Sequence, residues 1–321
     1  MNFVRFLKDF TLPLAMGAGT IIYLIFAFTP ALSDAADFFS PIMDTIFPVF
    51  MVCILFVTFC KVDFHKMRPR PWHLFVGIGQ VVLVAAITAL MLAMGWEGNA
   101  YILAASALAC IIAPTAAAAA VITTKLGGNL EDMTTYTFIS NFISALLVPI
   151  CFPLIAQTGD LSFWSTFVRI LWKVSLILIL PMALAYCVRH FIPALHRKIV
   201  GVKDLSFYLW GISLSIVTGM TIKHIVHADT TVGFILLVAV VSLIVCVLQF
   251  AVGRLIGKHF GCPIDVGQAL GQKNTAFAIW IAYTYLNPLT SVGPGCYILW
   301  QNIINSVEIV EQDRKGKLKS C

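Results

Sequence analysis

Gly271-Gln272-Lys273-Asn274-Thr275 lies deep inside a hydrophobic stretch, and a lysine at that depth decides how the chain is read. The nearest polar boundary is Pro263, roughly ten residues or about 15 Å of helix away. That is too far for a lysine stem to snorkel to water. A charge near a bilayer centre is costly, and such residues are usually paired, cavity-facing and tied to transport. Two roles stay open for Lys273: a working charge in transport, or an ammonium that caps backbone carbonyls between packed helices.

Composition sets the class around that stretch. Apolar residues make up 60% of the 321 and charged residues 11%, where a soluble domain carries about 25% charged residues. Apolar stretches of about 20 residues fall at ten places: 11–29, 41–60, 74–94, 101–124, 134–156, 164–188, 205–225, 231–253, 264–286 and 288–310. In lipid only helices or closed barrels satisfy the backbone, so the expected fold is an all-α polytopic membrane protein with ten transmembrane helices. With both termini cytoplasmic, the inner segments hold nearly all the basic residues, among them Lys61, Lys66, Arg68, Arg70, Arg189, Arg197, Lys198, Arg254 and Lys258. The outer loops then hold Lys223 alone, which fixes orientation by the positive-inside rule; the expected location is a bacterial cytoplasmic (inner) membrane. The net charge of +6 is explained by those inner loops, and no nucleic-acid partner is expected.

The first span precedes small residues at Ala31-Leu32-Ser33-Asp34-Ala35-Ala36, but its apolar core is longer than that of a cleaved signal. It is retained as a span. The nine cysteines are scattered without a C-x-x-C pair and read as small core residues. His224 and His227 near Asp229 read as interfacial rather than metal-binding. No metal and no cofactor is expected.

The polar stretch Ile192–Asp204 joins two halves of five spans. An odd number of spans per half forces the second half to enter the membrane in the opposite orientation, which is the arithmetic of an inverted repeat. The expected division is a first repeat at 1–160, a second at 161–310 and a cytoplasmic tail at 311–321. The fourth span of each half carries a place to break, Ile112-Ala113-Pro114-Thr115 and Gly271-Gln272-Lys273-Asn274. Broken helices leave unpaired amides at one end and unpaired carbonyls at the other, which attract anions and cations respectively. Pro114 could also merely kink a packed helix.

From Ala113-Pro114 through Gly127-Gly128-Asn129 to Leu147-Val148-Pro149, and again from Gly271 to Asn305, the chain resembles the bile acid:sodium symporter family. The resemblance implies a core of spans 3–5 and 8–10, a panel of spans 1, 2, 6 and 7, and spans 4 and 9 crossing at their breaks at the midplane. It implies alternating access and a small organic anion as substrate, from bile acids to hydroxy acids such as pantoate.

The chain departs from the family where sodium would bind. The family's span-9 glutamate falls on Ala269 and its glutamine on Lys273, with Gln272 between. Its span-4 Ser-Asn pair falls on Ala119-Ala120, and a span-5 serine on Met133, while Thr137 and the span-3 glutamine, Gln80, are kept. Sodium needs several oxygen ligands, and two positive charges at about 4 Å repel by roughly 4 kcal/mol at an effective dielectric of 20. Asp44 and Glu308 lie close to span ends. The expectation is therefore that sodium is not bound and that the Lys273 ammonium takes the place of a sodium ion near Gln80. Uniport or exchange and proton-coupled transport both stay open.

On the substrate side the expected residues are Lys273, Asn274, Thr275, Thr115, Gln301 and Asn302. Arg169 and Lys173 share a face of span 6, and Lys173 is a candidate for drawing an anion in. Two rivals keep the architecture: a cation/proton antiporter, and a sodium symporter with a relocated ion site. No H-E-x-x-H, G-x-S-x-G or P-loop motif is present, so no enzyme is expected.

Overall fold

The computed structural model describes residues 11–156, 162–202, 205–227 and 230–319. Arg5, Lys8, Lys203 and Asp229 lie outside the described residues, as do the side chains of Asp44 and His224. Among the described residues the fold is helical throughout, and its one strand-like contact is an isolated antiparallel bridge between Thr115 and Lys273.

Among the described residues fourteen α-helices follow one another: α1 Thr11–Phe28, α2 Ser33–Cys60, α3 Pro71–Met94, α4 Gly98–Ile112, α5 Ala119–Lys125, α6 Leu130–Ile155, α7 Phe163–Leu178, α8 Leu180–Phe191, α9 Pro193–Gly201, α10 Leu205–Val226, α11 Val232–His259, α12 Pro263–Gly271, α13 Thr275–Tyr285 and α14 Val292–Lys319. The caps follow local chemistry. Asn129 accepts from the Asp132 amide to open α6, and Pro71 stands in the first turn of α3, where a missing N–H costs nothing.

The burial pattern is that of a membrane protein. On α3 the outward row Leu74, Ile78 and Val82 is 54–68% exposed, while the opposite row buries Gln80 and Thr88 among Trp72, Val76 and Val84. Apolar outside and polar inside is the arrangement lipid selects. Five helical stretches are long and apolar enough to cross a membrane: 41–60, 71–94, 130–155, 163–191 and 232–259. Shorter apolar helices stand at 13–28, 98–112 and 211–223. The chain is a multi-pass membrane protein.

The spans read at 101–124 and 264–286, each with a break, are each two helices, α4 with α5 and α12 with α13. Two details differ from the sequence reading. The polar connection expected between the halves contains α9. The solvated tail expected after residue 310 continues as helix to Lys319, because Glu308, Glu311, Gln312 and Arg314 are good helix formers and Glu311 lies one turn before Arg314.

The chain divides into two compact units, residues 1–62 with 175–229, and residues 63–174 with 230–321. In the first, α10 packs on α1 and α2, and α8 on α2. Gly19 permits the α1–α10 approach, since a Cβ there would lie 2.0 Å from the Ser215 carbonyl oxygen. In the second, α11 packs on α12 and α14, and α3 on α6. Gly253 and Gly257 line the α11–α12 seam, where added Cβ atoms would meet the carbonyls of Val266 and Cys262 at 2.5 and 2.6 Å. The site described next lies wholly within this second unit.

Candidate functional site

Helix α4 ends at Ile112 because Pro114 cannot donate to the helix ladder, and α12 ends at Gly271. The two interruptions run antiparallel against each other. Asn274 N donates to Pro114 O at 2.8 Å, and Ala116 N donates to Gln272 O at 2.8 Å. Each break thus supplies part of the hydrogen bonding that the other helix lost.

The side chains at the bridge reach across reciprocally. Thr115 Oγ1 donates to the carbonyl of Ala269 at 2.8 Å, four residues before Lys273. Lys273 Nζ donates to the carbonyls of Ile111 and Ala113, each at 3.1 Å, and Ile111 is four residues before Thr115. The backbone amides match as well: Thr115 N donates to Ser140 Oγ at 2.9 Å, and Lys273 N donates to Gln301 Oε1 at 3.0 Å.

The carbonyl end of α4 carries the negative pole of the helix dipole, and three side chains share it. Besides Lys273, Gln80 Nε2 donates to Ile111 O at 3.0 Å and lies 3.4 Å from the carbonyls of Ile112 and Ala113. Ser144 Oγ donates to Ile112 O at 2.7 Å. The ammonium, 1% exposed, therefore sits on helix-end carbonyls much as a bound monovalent cation would. Of the two roles left open for it, the capping of backbone carbonyls is the one these bonds display.

The carbonyl end of α12 is satisfied by neutral groups. Tyr297 Oη donates to Gly271 O at 2.8 Å and accepts from Gln249 Nε2 at 2.9 Å. Asn305 Nδ2 donates to Gln272 Oε1 at 2.5 Å. Gln268 Nε2 donates to Asn305 Oδ1 at 2.9 Å and to Glu308 Oε2 at 3.1 Å, and Glu308 is ion-paired with Arg254. A polar chain thus runs from that ion pair to the break.

Of the positions where the family resemblance expects sodium ligands, Lys273 and Gln80 meet at the break, and most of the others carry apolar side chains. Ala119, Ala120, Met133 and Ala269 are buried in one apolar cluster with Trp72, Val76, Tyr136 and Val266. Thr137 Oγ1 donates to Met133 O within its own helix at 3.0 Å. None of these apolar side chains offers an oxygen.

Among the residues expected on the substrate side, Thr115, Lys273, Thr275 and Gln301 are buried. Asn274 is partly exposed; its Oδ1 caps α13 by accepting from Phe277 N at 3.2 Å. Beside it Ala116 and Ala117 are partly exposed and Ala118 is open. Asn302 is also partly exposed, but its Nδ2 donates to Ile298 O at 2.6 Å, one turn back on α14. Arg169 and Lys173 are exposed on α7 and stand apart from the crossing network. Sequence reasoning missed Ser140, Ser144, Tyr297, Gln249 and Gln268. A signal existed for the first two: Thr137, Ser140, Asn141 and Ser144 form a polar row at helical spacing in an apolar span.

This geometry can be set beside known proteins. The uncharacterized sodium-dependent transporter YocS of Bacillus subtilis (strain 168) is 22% identical over 288 residues, covering 85% of this chain and 84% of that protein. The model of the Sodium Bile acid symporter family matches residues 46–228, more than half of the 321, and the chain belongs to that family of transporters.

Proposed function

We propose that the chain is a sodium-independent secondary transporter of a small organic anion, with the Lys273 ammonium in the place of a sodium ion. The observation that carries this reading is the pair of bonds from Lys273 Nζ to the Ile111 and Ala113 carbonyls beside Gln80. The apolar filling at Ala119, Ala120, Met133 and Ala269 supports it, since hard cations need oxygen ligands. The buried ammonium acts through its field and by fixing the breaks. The anion is held at Asn274, at the positive end of α13, against the small side chains of Ala116 to Ala118.

An inverted 5+5 repeat of ten spans is part of the proposal. The reciprocal pattern supports it, because Thr115 and Lys273 each reach the residue four positions before the other. The separation of residues 1–62 and 175–229 from the rest supports a panel and a core that move in alternating access. The basic inner segments support cytoplasmic termini and the inner membrane.

A second reading, a sodium symporter with a relocated ion site, is favoured by the name of the Bacillus subtilis relative. Two carboxylates inside this unit are already engaged: Glu308 is paired with Arg254, and Asp265 Oδ1 accepts from the Asn129 amide at 2.6 Å. Counterflow in proteoliposomes tests both readings, screening organic anions with sodium replaced by potassium. The first predicts flux without sodium that Lys273→Ala and Lys273→Gln reduce or shift in pH dependence. Flux unchanged in both variants would contradict a role for Lys273, and an absolute sodium requirement would favour the second reading.

A further inference from the structure

We propose that α9 and the turn entering it form a docking surface for anionic phospholipid headgroups at one membrane–water interface. The evidence lies within the unit formed by residues 1–62 and 175–229, and it is independent of the transport reading. Helix α9 buries none of its residues. Leu195 and Ile199, four apart, form an apolar row on one face of the helix, with the apolar cap residues Ile192 and Val202 at its two ends. Leu195, Ile192 and Val202 are 42, 50 and 48% exposed, and Phe191 just before them is 77% exposed. Arg197 and Lys198 are both exposed; Arg197 projects from the far side of the helix and Lys198 borders the apolar row. A short helix with an exposed apolar row and basic residues behind and beside it is built to lie in the interface plane, with the row in the acyl boundary.

Two bonds hold it at the required level. His196 Nε2 donates to the Cys60 carbonyl at 2.8 Å, and the Arg189 guanidinium donates to the Val62 carbonyl. Both tie the segment to the end of α2, where a span meets the surface. Charge selects the lipid. From Phe163 to Val202 there is no Asp or Glu, while Arg189, Arg197 and Lys198 are all basic. Lysines and arginines near an anionic leaflet each contribute favourably, and salt screens the effect.

The test uses the full chain purified in detergent, with melting temperature followed during titration of phosphatidylglycerol or phosphatidylcholine. Phosphatidylglycerol is expected to raise the melting temperature more, and high salt to remove the difference. Arg197→Gln with Lys198→Gln should weaken the apparent phosphatidylglycerol affinity by about 25-fold, roughly fivefold per charge, and leave the phosphatidylcholine response unchanged. Lys258→Gln, on the exposed end of α11, should keep the wild-type preference. A double variant that retains the full phosphatidylglycerol response overturns the proposal. An equal shift from glycerol phosphate also overturns it, because a free headgroup lacks the acyl chains that the apolar row requires.

Discussion

Asn274 separates capping from binding more cleanly than any other residue at the crossing. Asp caps a helix as well as Asn does, whereas Ala costs about 1 kcal/mol at an N-cap. Asn274→Asp is therefore expected to keep the melting temperature of the wild type but lose anion binding, through like-charge repulsion and neutralisation of Lys273. Asn274→Ala should lower the melting temperature and weaken binding less. A thermal-shift titration with an organic anion that counterflow shows to be carried compares the two, and an Asp variant that binds normally would remove Asn274 from the proposed site. Thr115→Val should cost about 1–2 kcal/mol, because the buried Ala269 carbonyl loses its donor; chemical unfolding in detergent measures that. The charge of Lys273 and its depth were legible in the sequence. Its partners were not, since they are backbone carbonyls of a segment about 160 positions earlier, and a carbonyl leaves no mark in a residue string.

At the scale of helices, the breaks were legible because proline and glycine punctuate apolar runs at Pro114 and Gly271. Their antiparallel pairing was not, because its rungs are main-chain hydrogen bonds. The same holds for α9, whose apolar row is too short to register beside spans of about 20 residues. Helix packing yields its own prediction. A Cβ at Gly253 would lie 2.5 Å from the Val266 carbonyl oxygen, while one at Gly79 would meet nothing within 4 Å. Gly253→Ala should therefore lower the melting temperature, as α11 is pushed from α12. Gly79→Ala should hold or raise it, since alanine is about 1 kcal/mol better than glycine in a helix interior. Equal shifts would mean that the α11–α12 seam is looser than its geometry requires.

Across the whole molecule, hydropathy and charge asymmetry made the membrane class legible before any contact was known. The reciprocal bonds of Thr115 and Lys273 support the proposed repeat, yet a threonine and a lysine share no chemistry, so sequence could suggest matching breaks but not matching bonds. Orientation is open to direct test. Glu97→Cys, between α3 and α4, should react with an impermeant maleimide added to intact cells above the background of the native cysteines. Lys66→Cys, between α2 and α3, should react only after the cells are opened. The reverse pattern would invert the topology. The proposal as a whole rests on a protein cation taking the place of a sodium ion, and the most direct measurement is the melting temperature of the purified protein in sodium against potassium. A bound ion that stabilises the folded state raises the melting temperature by mass action, so the wild type is predicted to melt identically in the two salts. The triple variant Ala269→Glu, Met133→Ser and Lys273→Gln, which restores oxygen ligands and removes the ammonium, is predicted to melt higher in sodium. A wild-type protein that sodium stabilises would contradict the account at its centre.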